Sequence, residues 1–141
     1  MIRKAAIISI EGFYLNPIEA AILKKGKPWG VILFKRNILS EIQLTSLTKK
    51  IRKIMKDKKF PILIDEEGGR VSRLSNFLDN SFYTQKYFGD IYKINKLIGI
   101  NFYKTYINSL SKILLKTGIN INTSPVLDLI KKDAHRIIGD R

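Results

Sequence analysis

The stretch Pro61-Ile62-Leu63-Ile64-Asp65 is a short apolar run that starts at a proline and ends at an acidic residue. It predicts a buried β-strand, because proline is tolerated at the first residue of a strand, where a missing N–H donor costs little. Comparable apolar runs occupy residues 5–10, 30–34 and 119–126. The last of these is uneven in pattern, with Pro125 near its end. The sequence therefore predicts four strands.

Helical patterns separate the four runs. Asn16, Pro17 and Glu19 predict a capped helix start, and Gly26 and Pro28 predict its end. A second helix is predicted from Ser40, with Gln43 as its capping-box partner and apolar residues at helical spacing as far as position 55. A polar connection is predicted over residues 75–90, followed by one long helix over residues 91–117 that ends at Gly118.

Strands that alternate with helices in this way are typical of right-handed βαβ units around a parallel sheet. The 141 residues are near the usual length of one domain, and apolar residues make up 45% of them. No internal repeat or interdomain linker is evident. The predicted fold class is therefore α/β, with about four parallel strands and intervening helices in a single domain over residues 1–141.

The composition excludes several classes of site and location. The chain has no cysteine and a single histidine, which excludes a disulfide scaffold, a cysteine-ligated metal site and a cluster of histidines. No apolar run approaches the roughly 20 residues needed to span a bilayer, and Glu11 comes too early for a secretory signal. We expect a cytoplasmic protein without a metal, a cofactor or a membrane partner.

The net charge is +14, from 26 basic and 12 acidic residues. An excess of this size fits a polyanionic partner such as nucleic acid, or else a lysine-rich surface. The basic residues are 19 Lys and 7 Arg, scattered over predicted helical faces. Specific nucleic-acid readers usually rely on Arg and stacked aromatic residues, so the pattern favours a solvated lysine surface and makes nucleic-acid binding the weaker interpretation.

The chemistry is expected where the predicted strands end, because ligands of parallel α/β folds bind at the carboxyl ends of the strands. The most informative stretch is Asp65-Glu66-Glu67-Gly68-Gly69-Arg70, followed by Arg73. Asp65 should lie at the rim of the sheet, where its carboxylate accepts hydrogen bonds. A helical turn after the glycines would place Arg70 and Arg73 on one face. A carboxylate and an Arg fork suit sugar hydroxyls or an acidic substrate.

Other assignments at this rim are weaker. Three consecutive acidic residues in an extended chain point to alternating faces, which argues against a Mg²⁺ or Ca²⁺ site. His135 lies in a predicted loop, where solvent exposure is commoner than catalysis. Asp128 fits a loop-capping role better than a reactive one. Lys35 and Arg36 could contact a ligand or could simply be surface charges.

Four blocks together resemble glycoside hydrolase family 3, and in particular its bacterial β-N-acetylhexosaminidase branch. They are Ile32-Leu-Phe-Lys-Arg-Asn37, Ile64-Asp-Glu-Glu-Gly-Gly-Arg-Val-Ser-Arg73, Ser124-Pro-Val-Leu-Asp128 and Ile138-Gly-Asp-Arg141. They occur in the family's order and rough spacing over nearly the whole chain. The second block is quite specific, and the family usually shows Asp-Gln-Glu or Asp-Glu-Glu at its start.

The resemblance implies a (β/α)₈ barrel and retaining hydrolysis of terminal β-linked N-acetylglucosamine, as in cell-wall peptidoglycan recycling. It also implies that Asp65, Arg73 and Arg141 bind the substrate, and Arg141 rests on the resemblance alone. The family's Lys-His-Phe-Pro-Gly-His-Gly segment, its acid/base histidine loop and its nucleophilic Asp are absent from this sequence. We therefore expect no catalytic residue in this chain.

A (β/α)₈ barrel takes about 250 residues, so this chain predicts a partial, truncated N-terminal part of the barrel domain. Its open edges and uncovered interior face would favour association. The expected partners are an N-acetylglucosamine-containing muropeptide or saccharide and a second chain that completes the barrel. The alternatives are a non-catalytic sugar-binding remnant and a basic nucleic-acid-binding module.

Overall fold

The computed structural model describes residues 2–127. The strands are β1 (Lys4–Ser9), β2 (Pro28–Leu33), β3 (Ile62–Ile64) and β4 (Ile121–Asn122). The helices are α1 (Pro17–Gly26), α2 (Glu41–Met55), α3 (Gln85–Ile94) and α4 (Lys96–Lys116). A single 3₁₀ turn, Lys35–Asn37, follows β2.

The four strands form one parallel sheet in the order β1-β2-β3-β4. Each strand pairs with its neighbour in sequence, and a helix lies in every connection. This confirms the predicted α/β class with four parallel strands, the arrangement of a partial (β/α)₈ barrel. The carboxyl ends of all four strands consequently lie side by side, and they form the carboxyl edge, or rim, of the sheet.

The hydrophobic core lies between one face of the sheet and the helices. Alternate strand residues point to this face, and helices α2 and α4 cover it with their apolar sides. The buried contributors are Ile10, Val31, Leu33, Ile62 and Ile64 from the strands or their ends, with Leu44, Leu47, Ile51, Leu110 and Leu114 from the helices. Burial of this layer holds the rim of the sheet in place.

The helix starts follow from their capping residues. Asn16 and Glu19 form the predicted capping box, in which Asn16 Oδ1 accepts from the Glu19 amide at 2.8 Å and Glu19 Oε2 accepts from the Asn16 amide at 2.9 Å. Ser40 Oγ accepts from the Gln43 amide at 3.2 Å. The capping-box role predicted for the Gln43 side chain is wrong, because Gln43 Oε1 accepts from the Leu39 amide at 2.9 Å instead.

The predicted single helix over residues 91–117 is two helices that meet at Asn95. Helix α3 begins at Gln85, inside the stretch predicted as a connection, and Asn95 breaks the helical path with φ −149°. The Asn95 side chain accepts from the Ile98 amide at 3.1 Å and so starts α4. Helical spacing of apolar residues continues across this break, which is why the sequence pattern did not reveal it.

The prediction that the first strand is buried is wrong. Most residues of β1 are exposed, because β1 lies at an edge of the sheet. On the face opposite the core, Ile7 pairs with Gly30, and Ile32 pairs with Leu63. Ile7 is 47% exposed, and Ile32 is half-buried. Within residues 2–127 this face of β1 and β2 therefore retains exposed apolar surface.

No helix within residues 2–127 is both long enough and apolar enough to cross a membrane.

Candidate functional site

Asp65 lies directly after β3, at the carboxyl edge of the sheet. Thr123 follows β4 on the neighbouring strand, and its amide donates to the Ile64 carbonyl at 3.0 Å. This pairing brings the Thr123 hydroxyl to Asp65, where Oγ1 donates to Oδ1 at 2.6 Å. The sequence did not single out Thr123, because it lies inside the run 119–126 predicted as the fourth strand, whereas the observed β4 ends at Asn122.

Arg73 reaches the same place through a tight loop. The Glu67 amide donates to the Val71 carbonyl at 3.1 Å, which closes a hairpin around Gly68 and Gly69. Both glycines have positive φ, +81° and +60°, and a Cβ on Gly68 would collide with the Tyr83 carbonyl oxygen. The helical turn considered after the glycines does not form, since the chain makes this hairpin instead.

The hairpin separates the two arginines of the block. Arg70 lies at its exposed tip, whereas Arg73 is half-buried and directed to Asp65. Arg73 Nη2 lies 3.8 Å from Asp65 Oδ2, and about a quarter of each side chain remains exposed. The structure thus brings the predicted residues Asp65 and Arg73 together at the rim.

Phe34 forms one wall beside this pair. The Arg73 guanidinium carbon lies 5.6 Å from the centre of the Phe34 ring, and Arg73 Nε is buried without a hydrogen-bond partner among the described residues. At 3.8 Å the Asp65–Arg73 contact is an ion pair longer than a hydrogen bond. Asp65 therefore keeps acceptor capacity, and Arg73 keeps donors, for a polar ligand at this edge.

Glu66 has a different role from Asp65. Its side chain is buried, and Oε2 accepts from the Arg73 amide at 2.7 Å and from the Leu74 amide at 3.0 Å. Oε1 accepts from Asn80 Nδ2 at 3.3 Å. Neighbouring acidic side chains thus point to different environments, as the alternation of an extended chain predicts. Within residues 2–127, no group of three or more acidic, histidine or cysteine side chains could hold a metal ion.

The block around Arg36 ties β2 to the end of β1. Arg36 Nε donates to the Ile10 carbonyl at 3.2 Å, and its Nη2 donates to Ser9 Oγ at 3.1 Å. The buried Asn37 side chain donates to the Ile10 and Gly12 carbonyls, each at 3.0 Å. These contacts assign the block a structural part in shaping the rim, while Lys35 remains exposed.

Three residues considered from the sequence, Arg141, Asp128 and His135, lie outside the described residues. The substrate-binding role expected of Arg141 stays a prediction.

Residues 5–141 match the family described as the glycosyl hydrolase family 3 N terminal domain. The chain belongs to this family. Curated members that resemble it are named β-hexosaminidase. The protein from Chromobacterium violaceum is 34% identical over 143 residues, which cover 99% of this chain and 38% of the relative. The protein from Hydrogenovibrio crunogenus is 32% identical over 135 residues, covering 96% of this chain and 37% of the relative.

Solved structures of family 3 proteins share the fold. Native NagZ from Neisseria gonorrhoeae is 29% identical, with a TM-score of 0.71 over 90% of this chain and 37% of NagZ. The same NagZ in complex with N-trifluoroacetyl-D-glucosamine is 29% identical, with a TM-score of 0.70 over 90% of this chain and 38% of NagZ. This chain thus spans well under half the length of the family 3 relatives that it matches.

Proposed function

We propose that this chain supplies the sugar-binding part of a β-N-acetylhexosaminidase-type glycosidase, with Asp65 and Arg73 holding a terminal N-acetylglucosamine. The observation that carries the proposal is their meeting at the carboxyl edge of a parallel sheet, in a chain of glycosyl hydrolase family 3. The NagZ complex with N-trifluoroacetyl-D-glucosamine supports this class of ligand. We extend the same role to Arg141, on the family resemblance.

The chemistry of the pair suits a sugar. A carboxylate accepts from neighbouring hydroxyls, and a guanidinium donates to ring or hydroxyl oxygens. The Thr123 hydroxyl donates to Asp65 Oδ1 at 2.6 Å. Asp65 Oδ2 and the Arg73 guanidinium therefore remain available to bind a ligand. The Phe34 ring lies against the guanidiniums of Arg73 and Arg36, 5.6 and 4.7 Å from its centre, and so helps to hold Arg73 at the rim.

Binding by these residues is distinct from turnover. Retaining hydrolysis needs a nucleophile and an acid/base group on either side of the scissile bond. The Glu66 carboxylate next to Asp65 is held by main-chain amides inside the loop, so it is unsuited to either role. We propose that the 141-residue chain alone binds the sugar without hydrolysing it. If this is correct, it does not turn over a chromogenic N-acetylglucosaminide.

A second polypeptide that completes the barrel is part of the proposal. The exposed Ile7 and half-buried Ile32 lie on the sheet face opposite the core, and β1 offers an unpaired edge within the described sheet. An apolar face beside an open strand edge is suited to further parallel strands.

A muropeptide as natural ligand and a cytoplasmic location belong to the proposal as expectations from the sequence.

The test measures N-acetylglucosamine binding by calorimetry or ligand-observed NMR, using the 141-residue chain and two variants. Asp65→Asn removes the charge while keeping the shape, and we expect it to weaken binding by at least about tenfold, since it weakens charge-assisted hydrogen bonds to sugar hydroxyls. Asp90→Asn, on the exposed surface of α3, is the matched control and should bind as the wild type does. Equal affinity of the wild type and Asp65→Asn would contradict the proposal.

Salt dependence separates this function from nucleic-acid binding. Neutral sugar binding changes little with ionic strength, whereas a nucleic-acid complex that neutralises several phosphates weakens steeply as salt rises. A gel shift with mixed-sequence DNA and RNA at two salt concentrations, showing tight and salt-sensitive binding, would favour the basic nucleic-acid-binding module instead.

A further inference from the structure

Glu66 connects the sugar-binding rim to the loop that carries Arg73. Only 1% of Glu66 is exposed, and its carboxylate is the acceptor for two consecutive main-chain amides, those of Arg73 and Leu74. Asn80, on the far side of the same loop, donates to the other oxygen. One side chain therefore fixes the backbone from which the Arg73 guanidinium extends.

The backbone of Glu66 is itself anchored to β4. The Glu66 amide donates to Asn122 Oδ1 at 3.0 Å, and Asn122 Nδ2 donates back to the Glu66 carbonyl at 3.0 Å. Ser124 Oγ donates to the same carbonyl at 3.0 Å. Because Thr123 lies between Asn122 and Ser124, the anchor that holds Glu66 also presents the hydroxyl that fixes Asp65.

We propose that Glu66 is the positioning residue of the sugar-binding site. It sets the Arg73 guanidinium at the distance from Asp65 that both groups need to grip one sugar, without touching the ligand. The proposal rests on the proposed function for its ligand and on the geometry above for its mechanism. A buried carboxylate that served stability alone would leave sugar affinity unchanged in any variant that remains folded.

Two substitutions separate acceptor geometry from charge. Glu66→Met keeps the length of the side chain and removes both acceptor oxygens, so the Arg73 and Leu74 amides lose their partner. Glu66→Gln keeps one oxygen, which can take the place of Oε2 and accept from both amides, while Asn80 can rotate its amide to accept from the new NH₂ group. Leu114→Ala, a core substitution on α4, is the control for loss of stability by itself.

The first measurement is N-acetylglucosamine affinity, at a temperature at which circular dichroism shows each variant folded. We expect Glu66→Met to weaken binding by at least about tenfold, and Glu66→Gln and Leu114→Ala to stay within about threefold of the wild type. We also expect Glu66→Met to add little to the loss caused by Asp65→Asn, because both substitutions disable the same grip. Wild-type affinity in Glu66→Met, or an equal loss in Glu66→Met and Glu66→Gln, would overturn the proposal.

The second measurement needs no sugar. Amide hydrogen exchange of Arg73 and Leu74 should be at least about tenfold faster in Glu66→Met and a few-fold faster in Glu66→Gln, since a neutral oxygen is a weaker acceptor than a carboxylate. Should Glu66→Met not fold, the Glu66→Gln exchange rates decide. Unchanged rates refute the positioning role. Faster exchange in the Glu66 variants, together with no N-acetylglucosamine binding by the wild type, would refute the proposed ligand and leave the positioning geometry intact.

Discussion

Asp65 and Glu66 are adjacent acidic residues with opposite surroundings. Asp65 faces the rim, with the Thr123 hydroxyl and Arg73 beside it, whereas Glu66 is buried against main-chain amides. The alternation of side chains after a strand predicted that they would diverge. It could not predict which amides would meet Glu66, because those belong to a loop whose path depends on tertiary contacts.

Arg73 illustrates what sequence spacing leaves undecided. Residues 70 and 73 would share a face in a helical turn, but Gly68 and Gly69 both adopt positive φ and form a hairpin. Only Arg73 then reaches Asp65. Whether the chain forms a helical turn or a hairpin here depends on the close approach of Gly68 to the Tyr83 carbonyl. That contact joins distant parts of the loop, and no local sequence pattern encodes it.

Tyr106 carries a buried hydroxyl without a hydrogen-bond partner among the described residues. Its ring packs 5.0 Å from the rings of Tyr83 and Phe88. Burial, with a smaller contribution from the charge of Glu66, raises the pKa of Tyr106 to about 12. A raised pKa means that the neutral form is favoured by folding, so the stability it contributes is present below pH 10 and is lost between pH 10 and about 12.

We therefore expect Tyr106→Phe to change the free energy of unfolding at pH 7 by no more than about 1 kcal/mol, in the stabilising direction, because it removes an unpaired buried polar group. Above pH 10, the wild type should lose stability relative to Tyr106→Phe. The hydroxyl ionises in the unfolded chain near pH 10, whereas the folded chain holds it neutral until about pH 12. Urea unfolding at pH 7 and pH 11 measures both effects. A variant that is less stable by more than about 1 kcal/mol at pH 7 would indicate a hidden partner for the hydroxyl.

At the scale of elements, the sequence predicted the types better than the boundaries. Capping at Asn16 and Ser40 fixed two helix starts, because a side-chain acceptor three residues before an amide is a local signal. The break at Asn95 was not predicted. Apolar residues continue through it at helical spacing, and its effect on direction comes from the packing of α3 against α4 through Phe88, Phe102 and Tyr103.

The junction between α4 and β4 depends on Gly118. Its φ is +84°, and a Cβ there would collide with the Thr48 hydroxyl, which donates to the Thr117 carbonyl at 2.7 Å. We expect Gly118→Ala to lower the free energy of unfolding by about 2–3 kcal/mol, because it combines a left-handed backbone with a steric clash.

The matched control for this substitution is Gly26→Ala. Gly26 ends α1, and a Cβ there would meet nothing within 4 Å. Because alanine favours the helix, this variant should be neutral or more stable by up to about 1 kcal/mol. Chemical denaturation of the two variants side by side checks the prediction, and an equal effect at both positions would show that the contact with Thr48 is unimportant.

At the scale of the whole molecule, Arg3 and Asp57 connect the start of β1 to the loop before β3. Arg3 Nη2 donates to Asp57 Oδ2, and its guanidinium lies 5.1 Å from the centre of the Phe60 ring. Asp57 Oδ1 also accepts from the Lys59 amide at 2.8 Å. The Lys59 amide, and then Arg3, hold the pKa of Asp57 below its usual value of 3.8.

A lowered pKa contributes stability above the ordinary pKa of an aspartate and loses it as the pH falls through the lowered value. We expect the wild type to be more stable than Asp57→Asn at pH 7, and the difference to shrink as the pH is lowered from about 4 to 2. Thermal unfolding of both proteins over this range measures it. A difference that is the same at every pH would show that the charge on Asp57 contributes nothing.

The order of the strands has a consequence for how the molecule is made. Each strand after β1 pairs with the strand synthesised immediately before it, although the paired residues lie 23 to 58 positions apart in the chain. A chain emerging from the ribosome can therefore add its strands to the sheet in the order in which they are synthesised. Within residues 2–127, the proposed sugar site is completed late in this order, because Asp65 gains its hydrogen bond only once Thr123 has left the exit tunnel.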